Sequence, residues 1–118
     1  MIPFRHRFHG HTSLKYVYKN AKAVRGSFFT FKYIPNPRRS TSRFAVVVSK
    51  KVLKSAVGRN RIRRRMYELF RASSDSIEQS SDIVCIVTSA EVRTMSSEEL
   101  AREFFQQLKE TGLYKTPR

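Results

Sequence analysis

The chain has 118 residues, of which 40% are hydrophobic and 12% aromatic, enough for one folded domain and too many for a disordered chain. A single cysteine, Cys85, excludes an internal disulfide, and no apolar run is long enough for a membrane span or a signal peptide, so we expect a cytoplasmic protein. The net charge of +15 is uneven: residues 1–72 hold nineteen lysine or arginine residues and one acid, whereas residues 73–118 hold five and eight. This distribution predicts a polyanionic partner, with nucleic acid favoured over an anionic membrane surface.

Residues 1–10 predict a basic arm suited to lie along phosphates, the first part of a single domain over residues 1–118. The three histidines near this arm have no cysteine or carboxylate at ligand spacing, so we expect no metal site there. A helix is predicted from Thr12 or Ser13 to about Val24. Its apolar stripe consists of Leu14, Val17, Tyr18 and Ala21.

Two strands are predicted next, at residues 27–34 and 43–51, because both segments are rich in aromatic and β-branched residues. A turn at residues 35–42, rich in Pro and Ser, separates them. Within the first strand, alternation predicts one face with Phe29, Phe31 and Tyr33, and within the second strand one face with Phe44, Val46 and Val48. The other face of each strand is predicted to carry Phe28, Thr30 and Lys32 in the first, and Ala45, Val47, Ser49 and Lys51 in the second.

After a short link at residues 52–58 comes GRNRIRRRMYELFR, residues 58–71, which predicts an amphipathic helix ending near Ala72. On a helical wheel the apolar side consists of Ile62, Met66, Leu69 and Phe70. The opposite side consists of Asn60, Arg64, Tyr67 and Arg71, with Arg63 on a flank. We call this predicted element the arginine helix.

A third strand is predicted at residues 82–89, which are apolar on both faces and therefore typical of a central strand. Cys85 within it is interpreted as a buried, unreactive thiol. The last helix is predicted to begin after Ser96 with a capping box and to end at Gly112. Its apolar residues are Leu100, Ala101, Phe104 and Leu108.

The arginine helix holds six arginines and only one acidic residue, Glu68. A merely solvated charged face would contain interspersed Glu and Asp, so their absence favours contact with nucleic acid. Guanidinium groups bind phosphate bidentately and stack on bases, and Asn60 adds a neutral donor and acceptor. Lys50, Lys51 and Lys54 extend the basic tract toward the helix N-terminus, where backbone N–H groups also favour phosphate.

The stretch SKKVLKSAVGRNRIRRRMYELFR, residues 49–71, resembles the signature of the bacterial ribonuclease P protein subunit. In that signature an SKK-type strand end leads to A-V-x-R-N-R-x-K/R-R and then to a helix. The matching residues are Ser49, Lys50, Lys51, Ala56, Val57, Arg59, Asn60, Arg61, Arg63 and Arg64. The chain length, the order of elements and the basic N-terminal half also agree, so the resemblance covers essentially the whole chain.

The resemblance implies an α+β fold, an α/β sandwich in the order α-β-β-(β)-α-β-α, similar to the fold of ribosomal protein S5 domain 2. It implies a sheet of about four strands, one more than the residues predict. The fourth strand is expected near Pro35 to Arg39, or merged with a neighbouring element. The resemblance also implies a left-handed β-α-β crossover through the arginine helix, against the right-handed default.

In this family an RNA subunit carries out the Mg²⁺-dependent cleavage that frees the 5′ end of tRNA. The resemblance therefore implies no catalytic residue, no bound metal ion or other cofactor, and no required protein partner in this chain. The implied partners are the catalytic RNA and the 5′ leader of precursor tRNA. Residues predicted to bind the RNA subunit are Lys50, Lys54, Arg59, Asn60, Arg61, Arg63, Arg64 and Tyr67. Residues implied to bind the leader are Leu14, Tyr18, Lys32, Val47, Ser49 and Lys51.

Two residues depart from the family pattern: Leu14 stands where an aromatic residue is usual, and Tyr67 where a further arginine is usual. Two other classes of protein stay open beside the resemblance. A ribosomal or general structured-RNA-binding protein explains the charge but not the long motif. A metal-dependent protein nuclease needs paired carboxylates, which the basic half, with Glu68 alone, does not supply. DNA binding through the arginine helix is left open by the residues alone.

Overall fold

The computed structural model describes residues 17, 19–36, 42–74, 77 and 80–113. Within them lie β1 (Lys22–Arg25), β2 (Phe29–Pro35), β3 (Arg43–Val48), α1 (Ala56–Ser73), β4 (Ser81–Val87), a short 3-10 helix (Ala90–Arg93) and α2 (Ser97–Glu110). Val17, Lys19 and Asn20 are helical, whereas the basic arm, Leu14 and Tyr18 lie outside the described residues. No helix in this part of the chain is long and apolar enough to cross a membrane.

The four strands form one mixed sheet in the order β1-β2-β4-β3. β2 pairs antiparallel with β1 and β4, and β3 pairs parallel with β4. The central position of β4 confirms the prediction made from its two apolar faces. A parallel pair needs a crossover connection, and α1 supplies it between β3 and β4. The sheet and its two described helices confirm the α+β fold class, while the hand of the crossover stays a prediction.

β1 is the strand that was not predicted from the residues. The prediction that the first helix runs to about Val24 is therefore wrong, because Lys22–Arg25 form this strand. The last helical hydrogen bond there joins the Ala21 N–H to the Val17 carbonyl at 2.9 Å. From Lys22 to Arg25 the backbone instead pairs with β2. This edge strand owes its conformation to its partner strand, because four residues carry too weak a local signal.

β3 is shorter than predicted and ends at Val48. The Ser49 carbonyl accepts hydrogen bonds from the N–H groups of Val52 at 3.1 Å and Leu53 at 3.2 Å, which makes a turn. Ser49 and Lys51 therefore lie beyond the strand and not on its outer face, as had been predicted. The helix that follows begins at Ala56, inside the predicted link.

The core lies between one face of the sheet and the two helices. Phe70 of α1 stacks on Phe44 of β3, with ring centroids 4.5 Å apart. Phe104 of α2 meets Phe31 edge-on at 5.3 Å and Phe70 edge-on at 5.0 Å. The strand residues in this cluster are Phe29, Phe31, Phe44, Val46, Val48, Ile83, Cys85 and Val87, which confirms the predicted alternation.

A buried ion pair joins β3 to β4 on the opposite face of the sheet. The guanidinium of Arg43 donates to the carboxylate of Asp82 through two bonds, Nε to Oδ1 at 2.8 Å and Nη2 to Oδ2 at 2.6 Å. Asn36 donates from Nδ2 to the same carboxylate at 3.2 Å. Because Arg43 and Asp82 are register partners, a one-residue slip would leave both charges buried and unpaired. This pair was not predicted from the sequence.

Candidate nucleic-acid interface

Helix α1 separates a buried side from a charged side, as its periodicity predicted. Ile62, Met66 and Phe70 are fully buried, four residues apart. The side chain of Ser55 caps the helix by accepting the N–H of Gly58 at 3.0 Å. Because one stripe is fixed in the core, the side chains of Asn60, Arg61 and Arg64 on other faces are exposed to solvent.

Arg59 is held at the start of this helix. Its Nη1 atom donates to the carbonyls of Leu53 at 3.0 Å and Lys54 at 2.7 Å, which closes the turn before α1. A guanidinium has five N–H donors, and these two bonds use one nitrogen. Arg59 can therefore brace the turn and still offer donors to an anion.

Asn60 and Arg63 are joined to each other. Arg63 Nη1 donates to Asn60 Oδ1 at 2.6 Å, across one helical turn. The bond fixes the orientation of both side chains before any ligand arrives, so less side-chain entropy is lost on binding. It leaves the amide N–H₂ of Asn60 and further guanidinium N–H groups of Arg63 facing outward as donors.

Arg61 and Arg64 are exposed and make no hydrogen bond to the residues that the structure describes. Together with Asn60 and the exposed Val57 they line a shallow recess of about 330 Å³. We use the name arginine surface for Arg59, Asn60, Arg61, Arg63 and Arg64. Lys50 and Lys54, also predicted to bind RNA, are exposed in the segment that leads into α1.

The helical wheel placed Tyr67 opposite the apolar side of the helix, but in the structure this residue is only partly exposed. Its ring is partly buried against the core, and its hydroxyl accepts the N–H of Val46 at 3.3 Å. Because β3 is an edge strand, this N–H points away from the sheet and would otherwise lack a strand partner. The hydroxyl is thus used within the fold, and a role for Tyr67 in RNA binding stays a prediction.

Two arginines that were not predicted as site residues, Arg65 and Arg93, make contacts between α1 and residues 92–95. Arg65 donates to three backbone carbonyls of residues 92–95, and Arg93 packs beside Gly58 at the start of α1. Burial, and secondly the charge of Arg61, lower the pKa of Arg65. Position 65 lies three residues after Ile62 and four before Leu69, so its place beside the apolar stripe of the helix was a usable signal. No comparable signal in the sequence indicated Arg93, because this residue lies outside any motif.

Of the residues implied to bind a leader, Lys32 and Val47 occupy the second face of the sheet. Their register partners on β4 are Val84 and Ile86, so they lie two strands apart and both are partly exposed. Ser49 and Lys51 are exposed just after β3. Val84, the register partner of Lys32 on this face, is fully buried and lies outside the core cluster. Leu14 and Tyr18 lie outside the described residues.

The fold and the arginine surface define a class: small, strongly basic α+β proteins that present a helix suited to a polyanion. A sequence profile of the family described as Ribonuclease P matches residues 2–112, so the chain belongs to the ribonuclease P protein family. The ribonuclease P protein component of Clostridium kluyveri is 35% identical over 112 residues, 93% of this chain and 97% of that protein. That of Caldanaerobacter subterraneus is 35% identical over 100 residues, 85% of this chain and 84% of that protein.

Solved structures share the fold. The ribonuclease P protein of Staphylococcus aureus superposes with a TM-score of 0.82 at 24% identity, over 93% of this chain and 98% of that one. The ribonuclease P protein of Thermotoga maritima gives a TM-score of 0.78 at 24% identity, over 88% of this chain and 96% of that one. The profile match and the two relatives at 35% identity confirm the family that the motif at residues 49–71 indicated.

Proposed function

We propose that this protein is the protein subunit of ribonuclease P. It binds the catalytic RNA subunit through the arginine surface and the 5′ leader of precursor tRNA through the second face of the sheet. Membership of the family supports a place in an RNA-processing enzyme. The observation that carries the proposal is the arginine surface and its lack of neutralising acids.

The only acidic side chain on α1, Glu68, is engaged by Arg71 at 2.9 Å. One carboxylate that is already paired with Arg71 leaves most of the positive charge of the arginine surface uncompensated. Unpaired guanidinium groups this close repel one another, and a polyanion removes that repulsion. Phosphodiesters suit them in particular, because a guanidinium offers two parallel N–H donors to two phosphate oxygens.

The second face of the sheet supports binding of single-stranded RNA. Lys32 supplies a cation there, and Val47 supplies an apolar contact at the edge strand. Ser49 and Lys51 continue this surface beyond the end of β3. A leader strand needs both features, because its phosphates are held by cations and its unpaired bases by apolar or aromatic surfaces.

Catalysis is assigned to the RNA subunit, which would also hold the Mg²⁺ ions. The carboxylate of Asp82 is 3% exposed and engaged by Arg43 and Asn36, so it is not free to bind metal. Among residues 17–113 as far as they are described, no three His, Cys, Asp or Glu side chains are grouped to hold a metal ion. A protein nuclease would need such a group. The chain's own contribution is binding and positioning of RNA.

The test is reconstitution with a bacterial ribonuclease P RNA and a precursor tRNA at low Mg²⁺. We expect no cleavage by the protein alone and faster cleavage when protein and RNA are combined. The double variant Arg61→Ala/Arg64→Ala should bind the RNA about tenfold to a hundredfold more weakly. The slope of log affinity against log salt should fall by about 1.5, because two phosphate contacts are lost.

The matched control is Arg102→Ala/Lys109→Ala, which removes the same charge from exposed positions of α2. It should bind RNA nearly as the wild type does. Cleavage by the purified protein without RNA would overturn the assignment of catalysis. RNA binding without any gain in cleavage would instead favour the alternative, a general structured-RNA-binding protein.

A further inference from the structure

A second recess, larger than the one beside Val57, lies between α1 and residues 93–97. Its volume is about 630 Å³. Its lining residues are Arg61, Arg64, Arg65, Arg93, Thr94, Met95, Ser96 and Ser97. Four arginines and three residues with a hydroxyl group thus line one space, and none of the described residues that line it is acidic. We call this space the inter-helix recess.

Arg65 ties the two walls of the recess together. Its Nη1 atom donates to the carbonyls of Val92 at 2.7 Å and Arg93 at 3.1 Å, and its Nη2 atom donates to that of Met95 at 2.5 Å. The segment that carries Arg93 is therefore fastened to the arginine helix. The wall residues are held in place by the fold rather than gathered by a ligand.

Gly58 explains how Arg93 can lie against α1. A Cβ atom at position 58 would be 2.6 Å from Cδ2 of Leu53, 3.1 Å from Nη1 of Arg93 and 3.2 Å from Cζ of Arg93. Any side chain there would press on the guanidinium, which packs directly over the first turn of the helix. The absence of a side chain lets Arg93 join Arg61 and Arg64 at the recess.

The N-terminal turn of α2 forms the far wall. Ser96 caps this helix, with its Oγ accepting the N–H of Glu99 at 3.1 Å and its carbonyl accepting that of Leu100 at 3.0 Å. The N–H groups of Ser97 and Glu98 belong to the first turn, where no intrahelical acceptor exists. This positive end of the helix favours anions. Glu98 and Glu99 belong to the same turn but do not line the recess.

We propose that the inter-helix recess binds a phosphodiester group of the RNA subunit, held from two elements at once. Arg61 and Arg64 contact it from α1, Arg93 from the segment that precedes α2 and Ser97 from the first turn of α2, and Arg65 is a positioning residue. The inference rests on the proposed function and extends the RNA interface beyond the arginine helix. Four guanidinium groups without an acid in one recess repel one another, and a phosphate is the group that relieves this repulsion.

The test compares binding of a bacterial ribonuclease P RNA by Arg93→Ala, Ser97→Glu and the control Arg102→Ala across a range of salt concentrations. Arg93→Ala should weaken binding about tenfold and lower the salt slope by about 0.7–0.9, the value of one phosphate contact. Ser97→Glu should weaken binding at least as much. Its unfolding midpoint should equal or exceed that of the wild type, because an acid in the first turn of a helix is stabilising. Arg102→Ala should leave affinity within about twofold.

These outcomes separate the site from a structural role and from the proposed function. If Arg93→Ala and Ser97→Glu bind RNA as Arg102→Ala does, while Arg61→Ala/Arg64→Ala binds weakly, the recess is not a site and the proposed function stands. If the wild type does not bind the RNA, the proposed function itself fails. Inorganic phosphate alone, followed by NMR of residues 93–97, should bind weakly and compete with RNA. Saturation of the recess by free phosphate without loss of RNA binding would overturn the assignment to RNA.

Discussion

Arginines on a single helix have different roles here. Arg65 binds three carbonyls of a neighbouring segment, Arg59 closes the turn before the helix, and Arg61 and Arg64 are exposed. All are the same residue type within seven positions, so composition cannot separate them. Packing separates them, because a position beside the buried stripe brings the guanidinium to backbone acceptors. Charge counts alone therefore overstate how many arginines are available to RNA.

We expect Arg65→Ala to lower the free energy of unfolding by about 2–3 kcal/mol, because three carbonyls lose a charged donor. Arg64→Ala, one position away and exposed, should change it by less than about 0.5 kcal/mol. Urea denaturation followed by circular dichroism measures both. Equal effects of the two substitutions would show that the contacts of Arg65 do not stabilise the fold.

At the scale of elements, the hairpin of β1 and β2 is fastened to α2 by one side chain. The amide of Gln107 donates to the carbonyls of Val24 at 2.9 Å and Phe29 at 2.8 Å, and the residue is 6% exposed. A Cβ atom at Gly26, in the turn of this hairpin, would lie 2.1 Å from Gln107 Oε1. The turn and the helix can approach this closely only because position 26 has no side chain.

Gly26→Ala should therefore lower the free energy of unfolding by about 1–3 kcal/mol, because it displaces a buried, hydrogen-bonded amide. In a Gln107→Ala background, where the obstructing amide is gone, the same substitution should cost much less. A double-mutant cycle measured by denaturant unfolding gives this coupling. Strict additivity of the two substitutions would contradict the proposed contact.

At the scale of the whole molecule, the centre of the fold is the strand β4, paired on both edges and buried on both faces. Cys85 in this strand is fully buried, and burial raises the pKa of its thiol well above the ordinary range. The thiol can ionise only when the sheet opens. The native state therefore binds this proton more tightly than the unfolded chain does.

Stability should consequently fall as pH rises above about 8.5, where the unfolded thiol begins to ionise, and continue to fall toward the raised native pKa. Between pH 8 and pH 10 the wild type should lose about 2 kcal/mol more than Cys85→Ala, which lacks the group. Urea unfolding of both proteins at several pH values measures the difference. Parallel pH profiles would show that the thiol is not protected in the native state.

Much of the fold was predictable because its signals are local. Alternation grouped Phe29 with Phe31 on one face of their strand, and both are buried; the 3.6-residue period placed Ile62 and Met66 in the core. β1 was missed because a four-residue edge strand is decided by pairing with β2. Of the site, the arginine surface was predictable from its motif. The inter-helix recess was not, because Arg93 reaches α1 only through a long-range contact.

The sequence by itself determined that this is a strongly basic member of the ribonuclease P protein family with an amphipathic arginine helix. Charge, helical period and motif are properties of residues close together in the chain, so the sequence contains them. The tertiary structure decided which arginines are engaged within the fold. It also decided that the Tyr67 hydroxyl pairs with the edge of β3. These outcomes depend on the distance between residues far apart in the chain, a distance that packing sets and local sequence does not contain.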